Sequence, residues 1–415
     1  MLAVAVRTAR RFELHNESGY TNCSPFETEM RRRLWWSLVI FDHRICELSD
    51  YRTTTLDPTW DCNMPANVND FEIRPDMKKS PSVHETQTEA SFTVVRTELA
   101  DFVRHSAFHL NLVNPALKTI ARPKGSRQGT ATEASDLASF EELIESKYLS
   151  SCEVDDPLHC MTVWTTRAFL KRNRLLEHYS THSSSASRPT DVQRGAALFY
   201  AFTMLECDTK LRTSPLTRRY LWHVNFYFPI LAYLHLFNEL KKRPASEHAE
   251  QAWAAINDNY ETLAANPGEE DGDEMGAIYR IRVLLSRSRV ILQAWEARVS
   301  LLAQKQQAPE VPPRIVLDAK NNMADMSTTL SPGQSIAGLS NDQGEALSYF
   351  GDCGTSMDLG GGLSGPLGVP NLANSGQTEY SAELSTQAIV NVNMGQLWPE
   401  LNWQMDAPIG LVKRP

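Results

Sequence analysis

The feature that most constrains this chain is a helix start written in capping chemistry at Ser24-Pro25-Phe26-Glu27. The serine oxygen takes an orphan backbone N–H, Glu27 reaches back, and proline at the first helical position lacks the N–H that would go unpaired. Behind it Leu34, Leu38, Phe41, Ile45 and Leu48 recur at steps of four and three, the stripe of an amphipathic helix. Trp35, Trp36, Val39 and Ile40 widen that stripe beyond one face, so the helix is expected to be buried on most sides. Asp156-Pro157 and Ser214-Pro215 repeat the cap-then-proline signal, and Thr190-x-x-Gln193 repeats the box.

Helical spacing continues through Phe92, Val95, Leu99, Phe102 and Val113, then Leu158 to Tyr179, Trp253 to Leu263, and Ile278 to Leu302. Alternating strand pairs, a βαβ rhythm and a fixed-period repeat are all missing from the pattern, so an all-α fold is expected. Composition changes near residue 304: the stretch from Gln304 to Pro415 holds 13 of the 20 glycines, 9 of the 22 prolines and a net charge of −6. A helical domain over 1–303 and a disordered acidic Gly/Pro-rich tail over 304–415 are the expected organisation.

The 415 residues carry a net charge of −9, the opposite of the footprint of a free-standing nucleic-acid binder. Seven scattered cysteines contain no Cys-x-x-Cys pair, which fits reduced core thiols better than a disulfide framework or a zinc ribbon. Arg7, Arg10 and Arg11 imitate a mitochondrial presequence, but the apolar run before them is too short for a signal peptide. The longest apolar stretch, Val224 to Leu240, is interrupted by Asn225, Pro229, His235 and Asn238, so no membrane segment is expected.

Catalytic motifs fail. The chain has no Gly-x-Ser-x-Gly elbow, Walker loop or His-Glu-x-x-His, and Gly360-x-Gly362-x-x-Gly365 follows no strand and runs into Pro366. His105 and His109 have the four-residue spacing of a metal pair without further ligands, and read as a polar helix face. Asp155-Asp156 before Pro157 reads as a cap. Arg31, Arg32 and Arg33 spread around one helical turn, and are expected to be solvated or ion-paired instead of forming a phosphate patch. Arg280, Arg282, Arg287 and Arg289 follow five acids between Asn266 and Glu274, and charge compensation between the two is expected. These readings make the chain a non-enzyme with no cofactor and no bound metal.

One functional signal lies in the tail. Leu397, Trp398, Leu401 and Trp403, interleaved with Glu400 and Asp406, place docking aromatics among solvating acids around 394–406, the logic of an acidic activation segment.

The segment SPFETEMRRRLWWSLVIFDHRICELSDYRTTTL (Ser24 to Leu56), followed by WDCNMPANVNDFEIRPDM (Trp60 to Met77), resembles the regulatory middle region of fungal zinc binuclear-cluster transcription factors. The motif positions are Arg31, Arg32, Arg33, Leu34, Trp35 and Trp36, then Pro65, Asn67, Asn69 and Asp70. The similarity returns at Leu221 to Leu240, and covers roughly residues 1–300. It implies an all-α regulatory domain, a nuclear protein, partners in the transcription machinery or among co-regulators, room for a homodimer, and control of metabolic or secondary-metabolite genes. The family's six-cysteine zinc module does not occur in this sequence. DNA contact is therefore expected only through a missing N-terminal module, whether lost by truncation or absent naturally, or through a partner. The competing readings are an all-α enzyme, which would show a pocket with convergent carboxylates or histidines, and a pure interaction adaptor, whose tail would not activate a reporter.

Overall fold

Local capping sets where the helices begin. The Ser24 hydroxyl accepts the Glu27 N–H at 3.2 Å, and the Asp156 carboxylate accepts from Leu158 and His159 at 2.8 and 2.9 Å. Thr190 and Gln193 form the reciprocal box, and Ser214 caps the turn that opens with Pro215. The computed structural model describes residues 2–48, 60–106, 108–110, 136–153, 155–183, 188–265, 274–308 and 310–329. Among these no strand occurs, and no helix is long and apolar enough to cross a membrane.

The helices, in chain order, are α1 (Leu2–Arg11), α2 (Pro25–Leu48), α3 (Ser91–His105), α4 (Asp136–Ile144), α5 (Pro157–Ser183), α6 (Asp191–Thr213), α7 (Leu221–Phe226), α8 (Ile230–Lys242), α9 (Ala249–Ala265), α10 (Glu274–Leu285), α11 (Ser288–Gln304) and α12 (Arg314–Thr329). A single π-turn, Glu145–Leu149, continues α4. The described residues belong to one compact unit.

The larger core lies among α6, α8, α9, α11 and α12, with α5 packed along α6. Tyr233, Phe237, Ile256, Tyr260, Leu263 and Ile291 fill it, and Trp253 meets Trp295 edge-on at 5.3 Å. A second core joins α1 and α2 to residues 60–62 through Trp35, Trp36, Val39, Trp60 and Cys62. A third, around Val95, Leu99, Ile144, Tyr148 and Leu170, links α3, α4 and α5.

Three expectations need correction. The stripe of α2 is turned from where spacing placed it: Leu34 and Phe41 are 52% and 43% exposed, while Trp35, Trp36, Val39 and Asp42 face inward. A helix that is apolar nearly all round offers more than one stripe, and the neighbours choose among them. Second, α12 lies inside the segment assigned to the tail. Its Ile315, Val316 and Ala319 are fully buried against the main core, after a Pro312-Pro313 start. A short apolar patch in Gly/Pro-rich surroundings carries too little periodicity to be read, yet its burial is enough to hold the helix.

Third, Arg280 is no surface counterweight to the acidic loop. It is 0% exposed, donates to the Asn225 and Val224 carbonyls, and lies 3.7 Å from Asp208. Asp208 also holds Arg212 at 2.8 Å, and Asn259 bonds Asp208 at 3.1 Å while accepting from the Tyr233 hydroxyl at 2.6 Å. This buried network ties α6, α8, α9 and α10 together. Two guanidiniums around one carboxylate satisfy the rule that buried charges are paired and hydrogen-bonded. The acidic residues 266–273 lie outside the described residues.

Candidate functional site

Successive residues on a helix point roughly 100° apart, so Arg31, Arg32 and Arg33 leave α2 in three directions. Each finds a different acid. Arg31 donates to Glu27 at 2.9 Å, one turn earlier, and to the Phe12 carbonyl at 3.0 Å. Arg32 pairs with Glu17 in the turn Glu17–Tyr20. Arg33 bridges Glu29 at 3.1 Å and Asp70 at 2.8 Å.

The acids on the other side of these pairs hold a strap of backbone, residues 60–72, against α2. Glu17 accepts the Asn63 N–H at 2.9 Å, and Glu29 accepts the Ala66 N–H at 3.2 Å. Burial would raise the Glu17 carboxyl, but the bonds from Arg32 and the Asn63 backbone outweigh it and hold the group below its ordinary value. Trp36 donates its indole N–H to the Asn63 carbonyl at 2.9 Å. Trp60 stands edge-on to Trp35 and Trp36 at 5.5 and 4.9 Å, and the Arg104 guanidinium from α3 covers its other side at 3.8 Å from the ring centroid. Cys62 is buried beneath the Tyr20 hydroxyl, and burial pushes its thiol up to about 11, so it is packing, not a nucleophile.

Asn67 is the hub of the second half of the strap. Its side-chain amide donates to the His84 and Thr86 carbonyls at 2.9 and 2.8 Å, and its oxygen accepts from the Thr88 hydroxyl at 2.7 Å. Asn69 receives Glu72 on its backbone N–H at 2.8 Å, and Glu72 also meets His84 at 2.8 Å. The Asn69 N–H, with His84 second, holds the Glu72 carboxyl below its ordinary value. The Asp70 N–H donates to Glu89 at 2.7 Å, just before α3 begins.

Of the motif residues, Arg31, Arg32, Arg33, Trp35, Trp36, Pro65, Asn67, Asn69 and Asp70 thus converge on one clamp that fastens residues 60–89 across α2 and into α3. Leu34 does not join them and faces solvent. The partners Glu17, Glu29, Asn63, His84, Thr88 and Arg104 carry no motif signal; only the i−4 spacing of Glu27 and Glu29 from the arginines marked two acids in advance. The clamp's arginines are engaged with carboxylates, so the run has no shape for a phosphate backbone.

The remaining candidates are structural. His105 bonds the Asp101 carbonyl at 2.9 Å. His109 is buried, which drives its pKa well down, with the His43 ring at 5.6 Å. Asp156 is a helix cap, and Asp155 is exposed. Among the described residues, no three His, Cys, Asp or Glu side chains gather as a metal site. The glycine run from Gly360 and the segment with Trp398, Leu401 and Trp403 lie outside the described residues.

Residues 1–126, which contain the clamp, match the family model for the fungal specific transcription factor domain. The chain is 49% identical to the transcriptional regulator AacuB of Aspergillus aculeatus over 79% of its own length and 43% of that protein. It is 42% identical to the transcriptional regulator nsrM of Aspergillus novofumigatus over 98% of its length and 53% of that protein. Identity is 25% to the aurofusarin cluster transcription factor aurR2 of Gibberella zeae, over 86% of this chain and 52% of the other. The chain therefore spans about half the length of the curated relatives it matches. No solved structure matches. The clamp, the match over residues 1–126 and the similarity to these regulators place the chain in the family of fungal transcription factors that carry this domain.

Proposed function

We propose that this chain is the regulatory region of a nuclear transcription regulator that activates the genes of a secondary-metabolite cluster. The observation that carries the reading is the similarity along 98% of the chain to a named transcriptional regulator, with the helical body and its clamp inside the matched region. In this reading the helical domain controls activity, and the segment around 394–406 recruits the transcription machinery or a co-regulator. DNA contact comes from a zinc-cluster module or a partner, because the arginine run of α2 is spent on internal acids. The chain does no catalysis and needs no cofactor of its own.

The test is to tether residues 1–415 to a foreign DNA-binding domain upstream of a reporter gene. Reporter output above the untethered control is expected. Output equal to the control would overturn the reading and favour an adaptor without transcriptional activity.

A further inference from the structure

The seam where α2, α3 and α7 meet holds a cluster that the clamp does not use. Arg44, 6% exposed, donates to the Phe226 carbonyl at 2.8 Å and lies over the Tyr227 ring at 5.2 Å. From α3, Arg96 approaches the same ring at 5.1 Å, hydrogen-bonds the Tyr227 hydroxyl and lies 5.2 Å from the Phe92 ring. No carboxylate among the described residues pairs with Arg96. Between them sits His223, 6% exposed, in ring contact with Tyr227 at 4.6 Å and Phe92 at 5.4 Å. Neither nitrogen of its ring has a hydrogen-bond partner.

A buried imidazole with both nitrogens unsatisfied is costly, and so is positive charge gathered without an anion; native structures keep such arrangements where a ligand completes them. Burial, then the charges of Arg96 and Arg44, keep His223 neutral, so it retains one N–H donor and one acceptor. Two guanidiniums and one neutral N–H are a donor set for a carboxylate. The walls are ring faces, and Trp222, 62% exposed and 5.6 Å from His223, stands at the solvent side. Flat walls with a cationic end suit a flat ligand with an anionic end.

We propose that the α2–α3–α7 seam binds an aromatic carboxylate, with its charged end at Arg44, Arg96 and His223 and its ring against Phe92 and Tyr227. The helical body is thereby a receptor for a small planar acid, and occupancy ties α2 of the clamp to α7 of the main bundle. The argument rests on this geometry, and its test uses the purified chain without a promoter, so its failure is separable from failure of the transcriptional reading.

The experiment is thermal melting and calorimetric titration of the purified chain with benzoate, against acetate and sulfate at equal ionic strength. Benzoate is expected to raise the melting temperature along a saturating curve, and acetate and sulfate are not. Arg96→Gln is expected to weaken benzoate binding about tenfold or more, the effect of losing a charge-assisted bond. Because that variant can fail to fold, His223→Phe provides the second arm. It removes the unsatisfied nitrogens and keeps the ring, so it should melt at or above the wild-type temperature without benzoate and lose the benzoate shift. No saturable benzoate shift, an equal shift with acetate or sulfate, or a His223→Phe variant that is less stable yet still responds to benzoate would each overturn the proposal.

Discussion

Replacing Asn67 with alanine tests whether the clamp is scaffold. The side chain is 7% exposed and makes three strong bonds, to the His84 carbonyl, the Thr86 carbonyl and the Thr88 hydroxyl. A buried group left unsatisfied costs about 1–3 kcal/mol. His84 is half-buried and Thr86 exposed, so their carbonyls regain water at small cost. Thr88 is 5% exposed and its hydroxyl keeps only weaker options. The total comes to about 2–4 kcal/mol, most of it from Thr88 and the lost strap geometry. At roughly 2–4 °C per kcal/mol for a body of this size, the melting temperature should fall by about 4–16 °C. Far-UV circular dichroism with temperature and with urea reads this directly. Asn67→Asp should be similarly destabilised, because it keeps the acceptor for Thr88 but turns both donors toward carbonyls into a carboxylate. An Asn67→Ala variant that melts with the wild type would mean the strap is not fastened by this residue, and the structural account of the motif would fail.

Further outcomes follow from the same structure. Asp208→Ala leaves Arg212 and Arg280 buried around a vacancy and should cost about 3–5 kcal/mol in urea unfolding; a loss under about 1 kcal/mol would show that the network is not buried as described. Burial pushes His223 and His235 down to about 3, so between that value and the ordinary 6.5 the unfolded chain binds protons that the folded chain does not. Stability should therefore fall as pH drops from 7 to 5, by up to about 1.4 kcal/mol per pH unit for each histidine once below 6.5, and His223→Phe should flatten the slope. A flat urea-melt profile over that range would contradict their burial. Residues 340–415 tethered to a foreign DNA-binding domain should activate a reporter, and Trp398→Ala with Trp403→Ala should silence it while Glu400→Gln only weakens it. An output indifferent to both tryptophans would remove the activation segment from the account.

What could be read in the sequence was local. The caps at Ser24, Asp156, Thr190 and Ser214 were legible because a cap is decided within four residues. The arginine run was legible as ion-paired for the same reason, since Glu27 and Glu29 lie one turn before Arg31 and Arg33. What needed the fold was anything decided across it. Arg280 pairs with a carboxylate 72 positions earlier, and a nearby acidic loop was the more visible partner. The inward face of α2 was set by the strap and α3, not by its own periodicity. Nothing in sequence spacing joins Arg44, Arg96 and His223, which come from three helices and meet only because α7 packs under α2 and α3.

The central claim, regulation of a biosynthetic gene cluster, is tested most directly by transcript measurement after the gene is deleted from the fungus that carries it. The account predicts that transcripts of one contiguous set of biosynthetic genes fall severalfold and recover when the full-length gene is restored. Unchanged transcripts across every such cluster, under conditions where those genes are expressed, would contradict it.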